Sequence, residues 1–392
     1  MIRSILPVGQ GAFYTECFEG KNKDNSFFGN RFNVVYDCGS MPDPTIVEKE
    51  IRNHFQKDEP IEAVFISHLD NDHINGIPYL LGHCHVKRMF FPLLTPSNKI
   101  IMQIKNSIFG SGRFSGRFVS DPAEAISELG LDNSPKLIGV KEGPDQTNNR
   151  DDFADYPNDN IRDFVDTIES GEDAFANESI NRGTGSEHWV YIPYNYRNVA
   201  RAEQLMINLE KQFGRRLSPR EMERIWRADA PGDRDKIKAA YIHVSGGTNT
   251  NSMTLFSGIR KMSIRQQPIK SPLCICGVCK CCTCASHCFD RPAGCLYTGD
   301  YDASGRDKWK KLRGAYDSYW EYIGAVQVPH HGSIRSFNDE LADMDAYSFI
   351  SAGYSNRHRH PHSSVIKRFV LNGKVPYIIT EQVGSAAFFM IG

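Results

Sequence analysis

The stretch Ile61–Leu81 reads IEAVFISHLDNDHINGIPYLL. It opens with Ala63-Val64-Phe65-Ile66, a short apolar run of the kind that makes a buried strand. The run stops at Ser67 and gives way to His68-Leu69-Asp70-Asn71-Asp72-His73, which puts four potential metal ligands within six residues. Neutral imidazole nitrogens and carboxylate oxygens are what Zn²⁺, Mn²⁺ or Fe ions accept, and two ions need a dense cluster. A strand end is also where an α/β sheet presents side chains to an open cleft. A polar loop that merely caps the next helix does not call for four such groups together. The spacing predicts a metal site.

Composition bounds the rest. The chain has 392 residues, 40% hydrophobic and 24% charged, which describes a soluble globular protein with room for a large core. A formal net charge of −1 offers no electrostatic case for nucleic acid or membrane by itself. No apolar run approaches the roughly 18 residues that span a bilayer. Met1-Ile2-Arg3-Ser4-Ile5-Leu6-Pro7 is broken too soon to read as a signal peptide, so a cytoplasmic location is expected. Of the 11 cysteines, eight crowd between Cys274 and Cys295, a distribution that suits a metal better than a disulfide framework.

Read in order, the first forty residues suggest a β-hairpin unit, with strands over Phe13–Phe18 and Asn33–Gly39 and a Gly-rich link at Val8-Gly9-Gln10-Gly11. Asp37, at a strand end, either lines the cleft or forms an Asx turn. Pro44–Phe55 reads as an amphipathic helix, and a further helix to about Leu81 and a strand over Val86–Phe91 follow. Residues 92–240 break the pattern and are expected to be an insertion. Within it, Asp145–Asp173 is acidic and loop-like. Val199, Ala202, Leu205, Met206, Leu209 and Phe213 have helical spacing, with Gly214 as C-cap. Ser218-Pro219-Arg220-Glu221 opens another helix with a capping box. Arg197, Arg201, Arg215, Arg216, Arg220, Arg224 and Arg227 make this pair basic, either as a solvated face or as a phosphate-facing lid. Farther on, strands are expected at Met253–Phe256, Cys295–Thr298, Ala325–Val328 and Ala346–Ser351, with a helix over 308–323. Three of these strands run into polar site residues: Gly299-Asp300, His330-His331-Gly332-Ser333, and Asn356 to His360-Pro361-His362.

His68-x-Asp70-x-Asp72-His73, Gly299-Asp300 and Val328-Pro329-His330-His331-Gly332-Ser333 together resemble the metallo-β-lactamase superfamily. The usual first motif is HxHxDH, and here Asp70 replaces its second His. With Val8-Gly9-Gln10-Gly11, Asn251-Ser252 and Asn356…His360-Pro361-His362, the chain is similar to the hydrolase domain of bacterial competence (DNA-uptake channel) proteins. The resemblance implies one α/β domain over residues 1–392, a four-layer αβ/βα sandwich with two divalent ions, Zn²⁺ or Mn²⁺, at one edge. His68 and Asp70 would hold one ion, Asp72 and His73 the other, with Asp300 bridging. His330 is the first choice for the late ligand of the second ion, while His331 either takes that place or faces substrate. The family's third-motif His is absent; Asn249 and Asn251 stand there, so the first ion is weakly held or a harder ion is preferred.

Such a pair implies a hydrolase that works through a metal-activated hydroxide, most readily a phosphodiesterase or nuclease on DNA or RNA. Asp72 would orient the nucleophile. His360, with His362 or His331, would stabilise developing charge or protonate the leaving group, and Asn249, Asn251, Ser333 and Asn356 would contact substrate. Two other readings are a hydrolase of a small ester, lactone or cyclic nucleotide, and a partner-activated effector within a multi-protein system. A nuclease also needs restraint, so a regulatory protein partner is expected. Separately, Cys274, Cys276, Cys279, Cys281, Cys282, Cys284, Cys288 and Cys295 have spacings that wrap a structural Zn²⁺, which makes 271–295 a Cys-rich hairpin insertion. Cys17, Cys38 and Cys84 read as buried small hydrophobes.

Overall fold

Among the described residues, eighteen strands form, most of them short β-branched and aromatic runs. In the first half they are β1 (Ile2–Ile5), β2 (Gln10–Glu19), β3 (Arg31–Met41), β4 (Pro60–Ile61), β5 (Ala63–Phe65), β6 (His85–Val86), β7 (Arg88–Pro92), β8 (Lys136–Val140), β9 (Val165–Ile168) and β10 (Trp189–Tyr194). The second half adds β11 (Thr254–Ile259), β12 (Lys270–Ile275), β13 (Asp290–Pro292), β14 (Gly294–Tyr297), β15 (Ile323–Gln327), β16 (Tyr347–Ser351), β17 (Tyr377–Ile379) and β18 (Ala387–Ile391). This computed structural model describes residues 1–19, 31–41, 43–110, 112–143, 165–176, 189–196, 199–217, 221–222, 224–225, 231–244, 252–260, 270–275, 290–354 and 356–391.

A ten-stranded sheet has the order β13-β12-β18-β1-β2-β3-β5-β7-β8-β9, and a six-stranded sheet the order β10-β11-β14-β15-β16-β17. The β3-β5-β7-β8-β9 and β14-β15-β16-β17 blocks are parallel. Parallel strands are covered on both faces, and their alternation therefore divides one apolar set from another rather than apolar from polar. Within β5, Ala63 and Phe65 enter the core shared by the two sheets, whereas Val64 faces the other way. In β14, Cys295 and Tyr297 enter the shared core and Leu296 turns outward.

Three layers of packing follow. Tyr14, Tyr36, Phe65, Tyr191, Tyr297 and Phe349 fill the space between the sheets. Val35, Val64 and Met89 pack with the helices Pro44–His54 and Ile77–His83 on the outer face of the larger sheet. Leu296, Val326 and Ile350 pack with the helices Arg306–Ala315 and Ser363–Leu371 outside the smaller one. The arrangement is helix, sheet, sheet, helix: a mixed α/β fold consistent with the four-layer expectation. A separate apolar cluster, including Ile100, Ile104, Leu205, Leu209 and Ile237, joins the helices Pro96–Phe109, Val199–Phe213 and Pro231–Ile242.

Several expectations meet a different local structure. Against the expected insertion over residues 92–240, β8, β9 and β10 within them are strands of the two sheets. β9 also lies inside the acidic stretch expected to be loop; residues 145–164 of that stretch fall outside the described residues. The helices Pro96–Phe109, Arg113–Ser120 and Pro122–Ser127 were not anticipated, although Thr95 and Asp121 are N-caps followed by Pro. The helix expected over 308–323 divides into Arg306–Ala315 and a 3₁₀ segment, Asp317–Tyr322. The capping box at Ser218–Glu221 lies largely outside the described residues.

Cys295 is a correction. Its strand position turns the thiol into the core between the sheets, fully buried, near Arg3, Glu16 and Tyr297. Burial first, then Glu16, pushes the thiol up to about 12, with Arg3 opposing, so it remains a protonated core group rather than a thiolate ligand. Cys276–Cys288 lie outside the described residues, as does the side chain of Cys274 in β12. Cys38 and Cys84 are buried as expected, and Cys17 is partly buried. Among the described residues, no helix is long and apolar enough to cross a membrane.

Candidate metal centre

The ends of β3, β5, β14, β15 and β16 meet at one edge of the sandwich and bring their loops together. Asp37, near the end of β3, adopts a left-handed backbone with φ 56°. From there its carboxylate accepts the Ser67 N–H at 2.6 Å and the Ser67 hydroxyl at 2.7 Å. The same carboxylate meets Nδ1 of His73 at 2.8 Å. An Nδ1–H donated to Asp37 leaves the lone pair of His73 on Nε2, pointing inward. His331 is oriented the same way, with Nδ1 2.8 Å from the Ser351 carbonyl at the end of β16. Nδ1 of His68 lies 2.9 Å from Ser67 Oγ and 3.2 Å from Ser252 Oγ. Ser252 in turn accepts the Asp300 N–H at 2.9 Å.

Close approach sets the backbone here. Gly299 has φ +54°, and a Cβ on it would stand 2.6 Å from Ser67 Cβ. Only glycine brings the β14 loop this near the β5 loop. His330 and His331 have φ 52° and 55°, and Gly332 follows with φ 77°. Successive left-handed residues without glycine cost about 1–2 kcal/mol each. They are held by the His330 N–H donating to the Gly299 carbonyl at 3.0 Å and the Ser333 N–H donating to the His330 carbonyl at 2.9 Å.

The inward atoms converge. His73 Nε2 is 3.4 Å from Asp300 Oδ1, and His331 Nε2 is 3.3 Å from Asp72 Oδ2 and 3.7 Å from Asp300 Oδ1. His68 Nε2 is 3.7 Å from Asp300 Oδ2 and 3.8 Å from Asp70 Oδ2. The donor atoms of His68, Asp72 and His73 lie within 4.8 Å of one another, and so do those of His73, Asp300 and His331. Nε2 of His68, His73 and His331 is buried without a hydrogen-bond partner. Such a vacancy costs about 1–3 kcal/mol per atom, too much to repeat three times at one point unless something fills it. With bonds of about 2.0–2.2 Å, a tetrahedral ion has ligand–ligand edges of roughly 3.4 Å. The spacings are edges of that kind, so these residues fit a divalent ion.

The charges agree. Burial alone would raise Asp300, but His330, His331, His73 and His68 hold it well below the usual carboxylate range. Asp72 is likewise low because His73 and His331 outweigh its burial. Burial would lower His73 and His331, yet Asp37, Asp72 and Asp300 raise the first, and Asp300 and Asp72 the second. His68 is lowered, by burial and then by His73.

The other expected residues are distributed around this centre. Asp70 reaches toward His68 but pairs with Lys105, whose Nζ donates to both carboxylate oxygens at 2.6 and 2.7 Å. His331, the second choice for the late ligand, is buried and stands among the close donors, while His330 Nε2 is 3.6 Å from Asp300 and more exposed. The reason is backbone direction: the left-handed turn aims the second ring, not the first, at Asp72. His360 stacks beside His331 with ring centroids 6.2 Å apart and lies 5.8 Å from His330. Burial, then His331, His330 and His358, push it down to about 4. His362 caps the helix Ser363–Leu371, its Nδ1 accepting the Ser364 N–H. Asn356 spends its side chain on its own loop, donating to the carbonyls of Gly353 and His360 and accepting the His360 N–H. It therefore positions His360. Ser333 is buried. Asn249 and Asn251 lie outside the described residues. Sequence reasoning missed Ser67, Ser252 and Ser351 and left Asp37 open; a hydroxyl or carboxylate at a strand end was the available signal, but its partner is distant in sequence.

Among curated proteins none matches the chain. Residues 25–141, which carry the His68–His73 loop and the strands around it, match the family model of the metallo-beta-lactamase superfamily, and that match supports a metal-dependent hydrolase.

Proposed function

We propose that the protein is a metal-dependent phosphodiesterase acting on nucleic acid. The observation that carries this is the rim beside the imidazoles. Arg357, His358 and Arg359 are exposed on the loop that ends in His360, and Arg335 is exposed just past His331. Tyr354, next to that loop, is 79% exposed. Cationic side chains track a phosphate backbone, and a free aromatic face stacks on a base. An uncharged ester or lactone makes use of neither. The similarity of the His68–His73 variant motif to the hydrolase domain of competence proteins favours DNA.

Asp72, His73, Asp300 and His331 would hold the ion, which supplies a Lewis acid and a water of lowered pKa. Asp37, Ser67, Ser252 and Ser351 fix the ligand rings and so exclude other rotamers. His360 is neutral at neutral pH in the free protein. A phosphodiester anion between it and the centre would favour its protonated form, suited to a leaving oxygen. Arg335, Arg357 and Arg359 would bind the flanking phosphates.

The test is cleavage of plasmid DNA, single-stranded DNA, RNA and a chromogenic phosphodiester with Zn²⁺, Mn²⁺ and Mg²⁺ in turn. The double variant Asp72→Ala, His73→Ala should lose on the order of 10³-fold or more in rate. An Arg357→Ala, Arg359→Ala variant should weaken DNA binding and flatten its salt dependence by roughly one unit of slope per lost phosphate contact. Turnover of carboxylic esters or lactones with no phosphodiester cleaved under any metal would overturn the proposal.

A further inference from the structure

Gln327 ends β15, just ahead of His330 and His331, and it is buried. Strand alternation turns it, like Ala325, toward the larger sheet. An amide in such a place is costly unless its groups are paired. Its partners lie on both sides of the metal centre. Oε1 accepts two backbone N–H groups, those of Thr298 and Gly299, each at 2.9 Å, and this turn leads directly into Asp300. Nε2 donates to the Tyr14 hydroxyl at 3.3 Å. Tyr14 donates to Ser351 Oγ at 2.9 Å, and the Ser351 carbonyl is the atom 2.8 Å from Nδ1 of His331.

The direction of each bond follows from what the groups can do. A backbone N–H only donates, so Gln327 presents Oε1 to the 298–299 turn and has only its NH₂ for Tyr14. Tyr14, already accepting, spends its single proton on Ser351. The left-handed Gly299 turn is thereby held through both of its peptide groups, because its carbonyl accepts the His330 N–H at 3.0 Å. Tyr14 and Ser351 are as buried as Gln327, so no water loosens the path. At its two ends stand Asp300 Oδ1 and His331 Nε2, 3.7 Å apart, a spacing that must be kept within about 0.5 Å for one ion to take both. We propose that Gln327, Tyr14 and Ser351 are positioning residues of the metal centre. They fix the Asp300 carboxylate and the His331 imidazole relative to each other, and so set how tightly and in what geometry an ion is held.

This rests on the metal-centre reading but not on the substrate, and its test uses no substrate. Mn²⁺, an ion that prefers nitrogen and oxygen to the thiolates of the Cys-rich segment, is titrated into full-length apoprotein. Free ion is read from its electron paramagnetic resonance signal, and the spectrum of the bound ion reports the symmetry of its ligands. Tyr14→Phe removes one hydroxyl and keeps the ring. It should weaken Mn²⁺ binding about tenfold or more and alter the bound spectrum. Ser351→Ala keeps the carbonyl but breaks the path at its other end, and should do the same. The double variant should be little worse than either single one, because both interrupt one path. Tyr191→Phe removes a hydroxyl bonded to Glu16 elsewhere in the same core. It should lower the urea midpoint and leave Mn²⁺ affinity and spectrum as in wild type. Tyr14→Phe protein with native circular dichroism and wild-type Mn²⁺ affinity and spectrum would overturn the inference, as would an equal effect of Tyr191→Phe. If Tyr14→Phe does not fold, Ser351→Ala decides by the same criteria. A wild type that takes up no Mn²⁺ would overturn the inference together with the metal-centre reading beneath it.

Discussion

Two buried charged clusters in this molecule behave in opposite ways. Between the sheets, Arg3 and Glu16 form an ion pair with Nε and Oε1 2.7 Å apart, both essentially without exposure. Glu16 also accepts from the hydroxyls of Tyr297 at 2.9 Å, Tyr191 at 2.8 Å and Ser257 at 2.6 Å. Arg3 donates further to the Ala293 carbonyl, and only its Nη2 lacks a partner. At the sheet edge, by contrast, three imidazole nitrogens point at two carboxylates from just beyond hydrogen-bond distance. A buried charge needs compensation. The first cluster finds it within the chain and ties β1 and β2 to β10, β11 and β14. The second leaves its compensation to a ligand, and this incompleteness, rather than mere burial of charge, marks the functional site.

The comparison can be broken most directly at Glu16. Glu16→Ala leaves Arg3 buried and alone, and should cost about 3–5 kcal/mol in urea unfolding, with the same loss in chelated and metal-loaded protein. A loss that depended on metal would mean the two clusters are not independent. Next in size is the metal itself. Adding Zn²⁺ or Mn²⁺ at a hundredfold excess over Kd should stabilise wild type by about 2.7 kcal/mol, read as a rise in melting temperature. Asp300→Asn should abolish that rise while leaving the unfolding of chelated protein little changed. A full metal-dependent rise in Asp300→Asn would remove Asp300 from the ligand set.

The smallest effect is protonic. In the metal-free protein His73 and His331 are raised above the ordinary imidazole value, so each retains a proton as pH rises past 6.5. An ion must displace those protons, so apparent affinity should increase with pH until the raised values are passed, by up to tenfold per unit for each proton released. Calorimetry in two buffers of different ionisation enthalpy counts them. Affinity that falls as pH rises from 6 to 8 would show that the imidazoles are not ligands. The Arg3–Glu16 cluster should be indifferent over the same range, since Glu16 outweighs the effect of burial and holds the Arg3 guanidinium protonated far above it.

Legibility differed sharply within the site itself. His68, Asp72, His73, Asp300 and the His330-His331 pair were visible because they are chemically conspicuous and follow predictable strands. The choice between His330 and His331 was not, because it depends on two left-handed φ values and on the Ser351 carbonyl, which lies on another strand. Lys105 gave no signal at all: a lysine on an amphipathic helix reads as solvated, and its partner is 35 positions away. The reading of Cys295 with the other cysteines failed for a related reason. Proximity in sequence joined it to the cluster, whereas strand alternation turned its thiol into the core.

The sequence by itself determined the kinds of donor available, their order, and the strands that carry them, because ligand chemistry and apolar periodicity are local properties. Only the tertiary structure decided which nitrogen faces inward, which carboxylate is already paired, and which polar residues position others. Those outcomes depend on contacts between segments far apart in the chain. A hydrogen bond from Asp37 or Ser351 selects the ring's orientation, and no pattern within a single loop encodes its partner's position.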